Sequence, residues 1–142
     1  MITNLGHVAF WVKDLDKSLD FYTRVIGLKE AFRLYRDDGS LGGVYLYISH
    51  DNFIEIFPST GSSPAHEQGK AGYSHFCLQV DDAKKSLEEL RARGAPIDAE
   101  LKTGISKCIQ FWTHDPDGNR FEFMELPPES SQYQANLRFE KA

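Results

Sequence analysis

The sequence predicts an α+β fold built from two pseudo-symmetric βαβββ modules, and two observations lead to this prediction. The first is an internal repeat, in which residues 7–19 align with residues 75–87 at an offset of 68, with six identities in thirteen positions. The second is that residues 53–57 align with residues 120–124 at an offset of 67, so each half begins with a histidine strand and ends with a glutamate strand. A duplicated unit determines architecture more firmly than local propensity does.

Module one spans about residues 4–58 and begins with an alternating strand rich in β-branched and aromatic residues, at about 5–13. Asp14 is the expected N-cap of a helix over residues 15–26, and Gly27 supplies its left-handed stop. Turn-rich segments separate three further strands, which are expected at 28–36, 44–49 and 53–57.

Module two spans about residues 73–126 and repeats this order. Its expected elements are a strand at 73–80, a helix at 82–93, strands at 97–102 and 107–113, and a last strand to 126 that follows the turn 115–119. Residues 59–72, rich in Ser, Gly and Pro, form the expected linker, and residues 127–142 form a polar tail with no predicted structure. The whole chain of 142 residues has the length of one domain.

The charge balance excludes several partners. Sixteen Lys and Arg residues against 21 Asp and Glu give a formal charge of −5 with no basic stripe, which argues against nucleic acid and anionic membranes. Residues 1–14 contain neither a basic leader nor an apolar span, so we expect a cytoplasmic protein. Cys77 and Cys108 are too few for a disulfide framework, and we expect both to be reduced.

Four polar side chains lie on the strand face opposite the aliphatic residues. Strand alternation puts Val8, Phe10 and Val12 on one face and His7 on the other. The same alternation, applied to each strand, places His7, Glu55, His75 and Glu122 on the predicted open faces. They are accompanied there by the expected substrate-cleft residues Trp11, Phe53, Phe57, Cys77 and Met124.

If the modules pack with pseudo-two-fold symmetry, these faces form a U-shaped half-barrel cleft and the four polar groups converge. Two imidazoles and two carboxylates suit one divalent ion such as Ni, Zn, Co, Fe or Mn, and they leave positions open for substrate. The alternative is a solvated polar face, but solubility alone gives no reason to repeat the same residue types. We expect His50, His66 and His114, which fall in turns or the linker, to be ordinary surface histidines.

Two segments carry a family resemblance. Residues 18–28 (SLDFYTRVIGL) resemble the first helix of glyoxalase I, and residues 115–119 (DPDGN), followed by Phe121 and Glu122, resemble its last hairpin. The chain is therefore similar over about residues 4–126 to the vicinal oxygen chelate superfamily of glyoxalases, bleomycin resistance proteins and dioxygenases, and is nearest to proteins of the glyoxalase I type.

The resemblance implies an activity. The order His, Glu, His, Glu matches the metal ligands of bacterial glyoxalase I at His7, Glu55, His75 and Glu122. It implies a metal-dependent lyase or isomerase, similar to lactoylglutathione lyase, that acts by enediolate chemistry on a small substrate with adjacent oxygens, such as a thiol hemithioacetal of methylglyoxal. Glu122 would be the catalytic base, with Glu55 as its symmetric counterpart.

Two positions depart from glyoxalase I. Trp11 stands in place of an arginine that helps hold the γ-glutamyl carboxylate, and Ser59 stands in place of an asparagine. A tryptophan cannot replace a bidentate guanidinium contact, so both departures weaken an assignment to glutathione. Trp11 either stacks on an aromatic substrate or simply lines the cleft wall. Two other functions stay open, a non-catalytic small-molecule binding or resistance protein and an Fe(II)-dependent dioxygenase of the extradiol type.

The predicted cleft also suggests an assembly. One half-barrel leaves a large apolar cleft that a second module must close, so we expect a homodimer with its sites at or near the subunit interface. The tail contains Tyr133, Leu137 and Phe139, which either pack on the partner or belong to a frayed terminus.

Overall fold

The computed structural model describes residues 1–61, 69 and 71–140, which form two compact units. The first unit is Met1–Lys70 with Asp115–Gly118, and the second is Ala71–His114 with Asn119–Ala142. Each contains one four-stranded mixed sheet that is open and not closed into a barrel, which confirms the α+β class. Most of the predicted linker and His66 lie outside the described residues.

Module one follows the predicted order of elements. Its elements are β1 (His7–Val12), α1 (Leu15–Asp20) continued by a π-helical turn (Phe21–Val25), β2 (Lys29–Tyr35), β3 (Leu41–Ser49) and β4 (Asn52–Pro58). The Asp14 carboxylate accepts a hydrogen bond from the backbone N–H of Lys17, and Gly27 ends the helical segment with a φ of 95°. The sheet order is β1-β4-β3-β2, with β1 and β4 parallel.

Module two repeats this topology and confirms the predicted duplication. Its elements are β5 (Phe76–Gln79), α2 (Ala83–Ala92), β6 (Ala99–Thr103), β7 (Ile109–His114) and β8 (Arg120–Glu125). The sheet order is β5-β8-β7-β6, with β5 and β8 parallel. Asp82 caps α2 through the backbone N–H of Lys85, as Asp14 caps α1.

Three segments differ from the sequence prediction. The strand expected at 73–80 is shorter, because β5 begins at Phe76 and His75 lies immediately before it. Residues 41–43, assigned to a turn because of their glycines, are the start of β3, where Leu41 pairs with Tyr35 and Gly43 pairs with Leu34. The polar tail forms α3 (Ser131–Phe139), with Ser130 as its N-cap. Strand pairing at residues 41–43 and the N-cap at Ser130 outweigh the weak local propensity of these two segments.

The cores of the two modules are chemically different. The side chains wholly buried in module one's sheet are aliphatic, namely Val12, Val44, Leu46, Ile54 and Ile56. Module two instead stacks Phe111 on Phe123 and Phe76 on Phe121, with ring centroids 4.9 and 4.7 Å apart. Among the described residues, no helix combines the length and the apolar character needed to cross a membrane.

A turn from the second half of the chain belongs to the first unit. Asp115 is 1% exposed and accepts a hydrogen bond of 3.1 Å from the Tyr22 hydroxyl, which is itself buried. The backbone N–H of Lys13 donates to Asp117 at 2.9 Å. The turn 115–118 therefore completes the core beneath the helix of module one.

Candidate functional site

The first predicted pair, His7 and Glu55, is in contact on the sheet of module one. Strands β1 and β4 run in parallel with Ala9 opposite Glu55, which puts His7 next to the carboxylate on the same face. The distance from His7 Nε2 to Glu55 Oε2 is 3.3 Å. The glutamate side chain is only 8% exposed, whereas the imidazole is 46% exposed, so the pair presents a buried acceptor beneath an accessible ring.

The second pair, His75 and Glu122, repeats this arrangement in module two. His75 Nε2 lies 3.5 Å from Glu122 Oε2, and again the carboxylate is the buried partner. The Nδ1 atom of His75 lies 3.1 Å from the Ser74 hydroxyl, a contact that orients the ring. The structure thus brings together one histidine and one glutamate within each module, with the same arrangement in both.

Each pair has an aromatic neighbour that the sequence analysis did not single out. The His7 ring meets Tyr45 edge to face at 5.6 Å, and the His75 ring meets Trp112 in the same way at 4.6 Å. In both sheets this aromatic residue lies directly opposite the glutamate. A signal for it was present, since an aromatic residue precedes each glutamate by ten positions.

The donor chemistry of each pair fits a cation. A carboxylate taken out of water requires a positive or hydrogen-bonding partner, and among the described residues no Lys or Arg forms an ion pair with Glu55 or Glu122. An imidazole nitrogen and a carboxylate oxygen are good ligands for divalent ions of borderline hardness. Within residues 1–61, 69 and 71–140, however, the structure gathers no group of three or more His, Cys, Asp or Glu side chains that could hold a metal ion.

The predicted cleft residues of module one form an aromatic surface around the first pair. Trp11 is 61% exposed and packs on Phe57 with ring centroids 4.8 Å apart. Phe53 lies 5.9 Å from Tyr45, which stacks on Phe32 at 4.5 Å. Burial, then a side-chain hydrogen bond to Glu55 and the charge of that carboxylate, raise the pKa of the Tyr45 hydroxyl, so this group stays protonated at neutral pH.

The predicted cleft residues of module two have different surroundings. Cys77 lies directly opposite Glu122, and Met124 pairs with Gln79 and Gln110 and is buried. Burial, followed by the negative charge of Glu122, raises the pKa of the Cys77 thiol to about 12. Cys77 is therefore a neutral thiol beside the second pair, and both cysteines are free, as expected.

Module two also contains a charged cluster that the sequence analysis missed. His114, which was expected in a turn, ends β7, and its Nδ1 lies 2.7 Å from Asp98 Oδ1. The Nε atom of Arg120 donates to Asp98 Oδ2 at 3.3 Å. The available signal was spacing, because Arg120 precedes Glu122 by two positions on one strand and so shares its face. His50, by contrast, is an exposed turn residue paired with Asp51, as expected.

Comparison with known proteins identifies the family of the chain. The sequence profile of the Glyoxalase/Bleomycin resistance protein/Dioxygenase superfamily matches residues 4–123. The chain belongs to this superfamily. It is 29% identical over 126 residues to the probable chloroplastic lactoylglutathione lyase of Arabidopsis thaliana, where the match covers 86% of this chain and 35% of that protein.

A bacterial protein matches over most of both chains. The lactoylglutathione lyase of Pseudomonas putida is 31% identical over 153 residues, covering 87% of this chain and 85% of that protein. Among solved structures, SMU.1112c superposes with a TM-score of 0.72 at 26% identity, covering 88% of this chain and all of that one. This chain spans less than half the length of the first plant relatives, at 35% and 44%.

Proposed function

We propose that the protein is a glyoxalase I-like, metal-dependent lyase or isomerase acting on a small substrate with adjacent oxygens. The observation that carries this proposal is the repetition of one imidazole and one buried carboxylate, at 3.3 and 3.5 Å, in modules that otherwise differ. The similarity to lactoylglutathione lyases supports the same reaction class. Cytoplasmic location stays a prediction from the sequence.

The proposed metal ligands are His7, Glu55, His75 and Glu122, with Ni, Zn, Co, Fe and Mn as the candidate ions. When bound, the ion would supply positive charge that acidifies a carbon-bound hydrogen beside the substrate oxygens. In this proposal the Glu122 carboxylate accepts that proton and returns it to the neighbouring carbon, while Glu55 is its counterpart in module one. Because the Cys77 thiol beside Glu122 is neutral, it does not compete as a nucleophile for the substrate.

Metal analysis of the purified protein tests the ligand set. We expect about one divalent ion per chain in the wild type. We expect that ion to be lost in the triple variant that carries Glu55→Gln, His75→Ala and Glu122→Gln. The matched controls are His50→Ala and Glu100→Gln, which remove an exposed imidazole and an exposed carboxylate paired with Asp51 and Arg91. Full metal occupancy in the triple variant would contradict the proposed site.

The substrate is tested on metal-loaded protein. Apo-protein is loaded with Ni or Co and assayed with methylglyoxal and glutathione, then with other thiols, because Trp11 replaces an arginine of the glutathione-dependent enzymes. Turnover that depends on metal and on a thiol is the expected result. Oxygen uptake with Fe(II) and a catechol would instead assign an extradiol-type dioxygenase.

One observation favours a second candidate, a binding or resistance protein for aromatic compounds. Module one exposes large aromatic side chains on the face that carries His7, with Trp11 at 61%, Phe32 at 46% and Tyr47 at 42%. Planar rings stack well on such a surface. Quenching of Trp11 fluorescence by an aromatic ligand, together with no turnover with any thiol, would assign this function.

We also propose that the protein is a homodimer to which α3 contributes. The helix carries Leu137 at 37% exposure and Phe139 at 76%, while its first turn is held by a hydrogen bond from Ser131 N–H to the Ser106 carbonyl. Light scattering of the full chain and of a chain ending at Leu126 tests this. A monomeric full-length protein would contradict the dimer, and an unchanged dimer after truncation would contradict the role of α3.

A further inference from the structure

Arg120 is held in a defined position beside the second His–Glu pair. Its Nε donates to Asp98, and its guanidinium carbon lies 5.0 Å from the centre of the Trp112 ring. The same Trp112 ring contacts His75 at 4.6 Å. Arg120 and Glu122 are two residues apart on β8 and share a face of the sheet, so this cation and the proposed base lie on the same surface.

Asp98, which accepts the hydrogen bond from Arg120, is itself held in place by His114. Asp98 Oδ2 accepts a hydrogen bond from Arg120 Nε at 3.3 Å, and Asp98 Oδ1 lies 2.7 Å from His114 Nδ1. The Asp98 side chain is only 21% exposed. An isolated surface ion pair would leave the guanidinium free to rotate. Here the planar group is constrained by Asp98 at one edge and by Trp112 on one face.

The terminal nitrogens of Arg120 are available to a ligand. Asp98 is the acceptor for Nε, and in the described part of the chain the two terminal amino groups have no acceptor. The side chain is 45% exposed, so a small molecule reaches it. Two parallel N–H donors in one plane match the two oxygens of a carboxylate.

We propose that Arg120 binds a carboxylate of the substrate, and that the substrate class is therefore small anionic compounds with a carboxylate as well as adjacent oxygens. The adjacent oxygens of this substrate class rest on the proposed function, whereas the carboxylate rests on the position of Arg120 alone. Asp98 neutralises the net charge of Arg120, so recognition comes from directed hydrogen bonds and favours planar carboxylates.

The carboxylate site is tested first on metal-free protein. Benzoate and benzamide, which share shape but not charge, are titrated into isotope-labelled protein while the Arg120 Nε and Trp112 indole resonances are followed. Saturable shifts at both groups with benzoate, and none with benzamide, are expected. No saturable benzoate binding, or equal binding of both compounds, would overturn the proposal.

Variants of Arg120 separate the contribution of its planar pair of N–H donors from the contribution of its positive charge. Arg120→Gln is expected to weaken benzoate binding about tenfold or more, and Arg120→Lys to give an intermediate affinity because it keeps the charge without the planar fork. Arg91→Gln is the matched control, since Arg91 makes the same kind of contact with Glu100 in the same unit. Unchanged affinity in Arg120→Gln, or equal loss in Arg91→Gln, overturns the assignment.

A second titration links the site to the proposed function. Succinomonohydroxamate and acetohydroxamate both offer adjacent oxygens, but only the first has a carboxylate, and both are titrated calorimetrically into Ni²⁺-loaded protein. Tighter binding of the first compound, lost in Arg120→Gln, is expected. If neither hydroxamate binds while benzoate does, the proposed metal function fails and the carboxylate site stands; if both bind equally, the carboxylate site fails.

Discussion

The two modules place most of the aromatic side chains of their sheets on opposite faces of the same scaffold. In module one most rings of the sheet cover the face of the His–Glu pair, and the wholly buried side chains of the sheet are aliphatic. In module two the rings stack inside the core, and the face of the pair carries Arg120, His114 and Gln110 around a single Trp112. The duplication has thus kept the backbone topology while exchanging which face of the sheet carries most of the ring-to-ring packing.

This reversal shows which features are independent of their surroundings. The His–Glu contact persists at 3.3 Å beside an apolar aromatic surface and at 3.5 Å beside a charged one. A contact that only satisfied local polarity would not need the same two residue types in both settings. The His–Glu pair is therefore common to both modules, whereas the surface around it differs. In module one that surface suits planar apolar groups, and in module two it suits anions.

The largest expected effect concerns the two glutamates. We expect Glu122→Gln to lower kcat about a hundredfold or more, because the amide keeps an oxygen ligand but cannot accept the proton. Glu55→Gln is expected to have a smaller effect on kcat. Rates are normalised to metal content measured on the same samples, and a larger fall in Glu55→Gln would exchange the roles of the two residues.

The next largest effect is on stability. Asp115→Ala removes the acceptor of the buried Tyr22 hydroxyl, so we expect it to lower the free energy of unfolding by about 2 to 3 kcal/mol. Urea denaturation measures the change. Tyr22→Phe, which removes the donor instead and leaves a carboxylate with other contacts, should cost about 1 kcal/mol. Equal and negligible losses would show that this contact does not stabilise the first unit.

A pH-dependent effect compares equivalent positions in the two sheets. Cys77 in module two aligns with Ala9 in module one, and each lies opposite its glutamate. Because the pKa of Cys77 is raised from 9.0 to about 12, its thiolate fraction near neutral pH is about a thousandfold below that of an ordinary thiol. We expect iodoacetamide to label Cys77 far more slowly than the introduced thiol of Ala9→Cys, whose position is exposed.

The sign of the charge effect can be checked on the same thiol. Glu122 raises the pKa of Cys77, so Glu122→Gln should lower that pKa and move the alkylation profile toward lower pH. Peptide mass analysis between pH 7 and about pH 10 follows the labelling. A profile unchanged by the substitution would show that Glu122 does not contribute to the raised pKa of Cys77.

The smallest effect is at two equivalent hairpins. Asp51 and Gly118 align at the offset of 67 and both are left-handed, with φ of 59° and 84°. An aspartate tolerates this region less well than glycine, so Asp51→Gly should stabilise the protein by about 0.5 kcal/mol and Gly118→Asp should destabilise it by about 1 kcal/mol. Thermal unfolding measures both, and shifts of the same sign would contradict the shared geometry.

The sequence predicted what depends on repetition and alternation. The offset of His7 from His75 identified both modules, and strand alternation put each histidine on the same predicted face as the glutamate of its module. It did not predict the Asp98, His114 and Arg120 cluster, because these residues are brought together by pairing of strands that are distant in the chain. The helix over Ser131–Phe139 was also missed, since its residues have no strong apolar period and its first turn depends on contacts with residues 106 and 108.

The turn at 115–118 has a consequence for biosynthesis. Because Asp115 completes the buried environment of Tyr22, the amino-terminal unit cannot reach its final packing until residue 118 has left the ribosome. A fragment that ends at residue 70 would therefore lack the acceptor of the buried Tyr22 hydroxyl beneath its helix. Gene halves separated at the repeat boundary are thus not interchangeable building blocks, despite their shared topology.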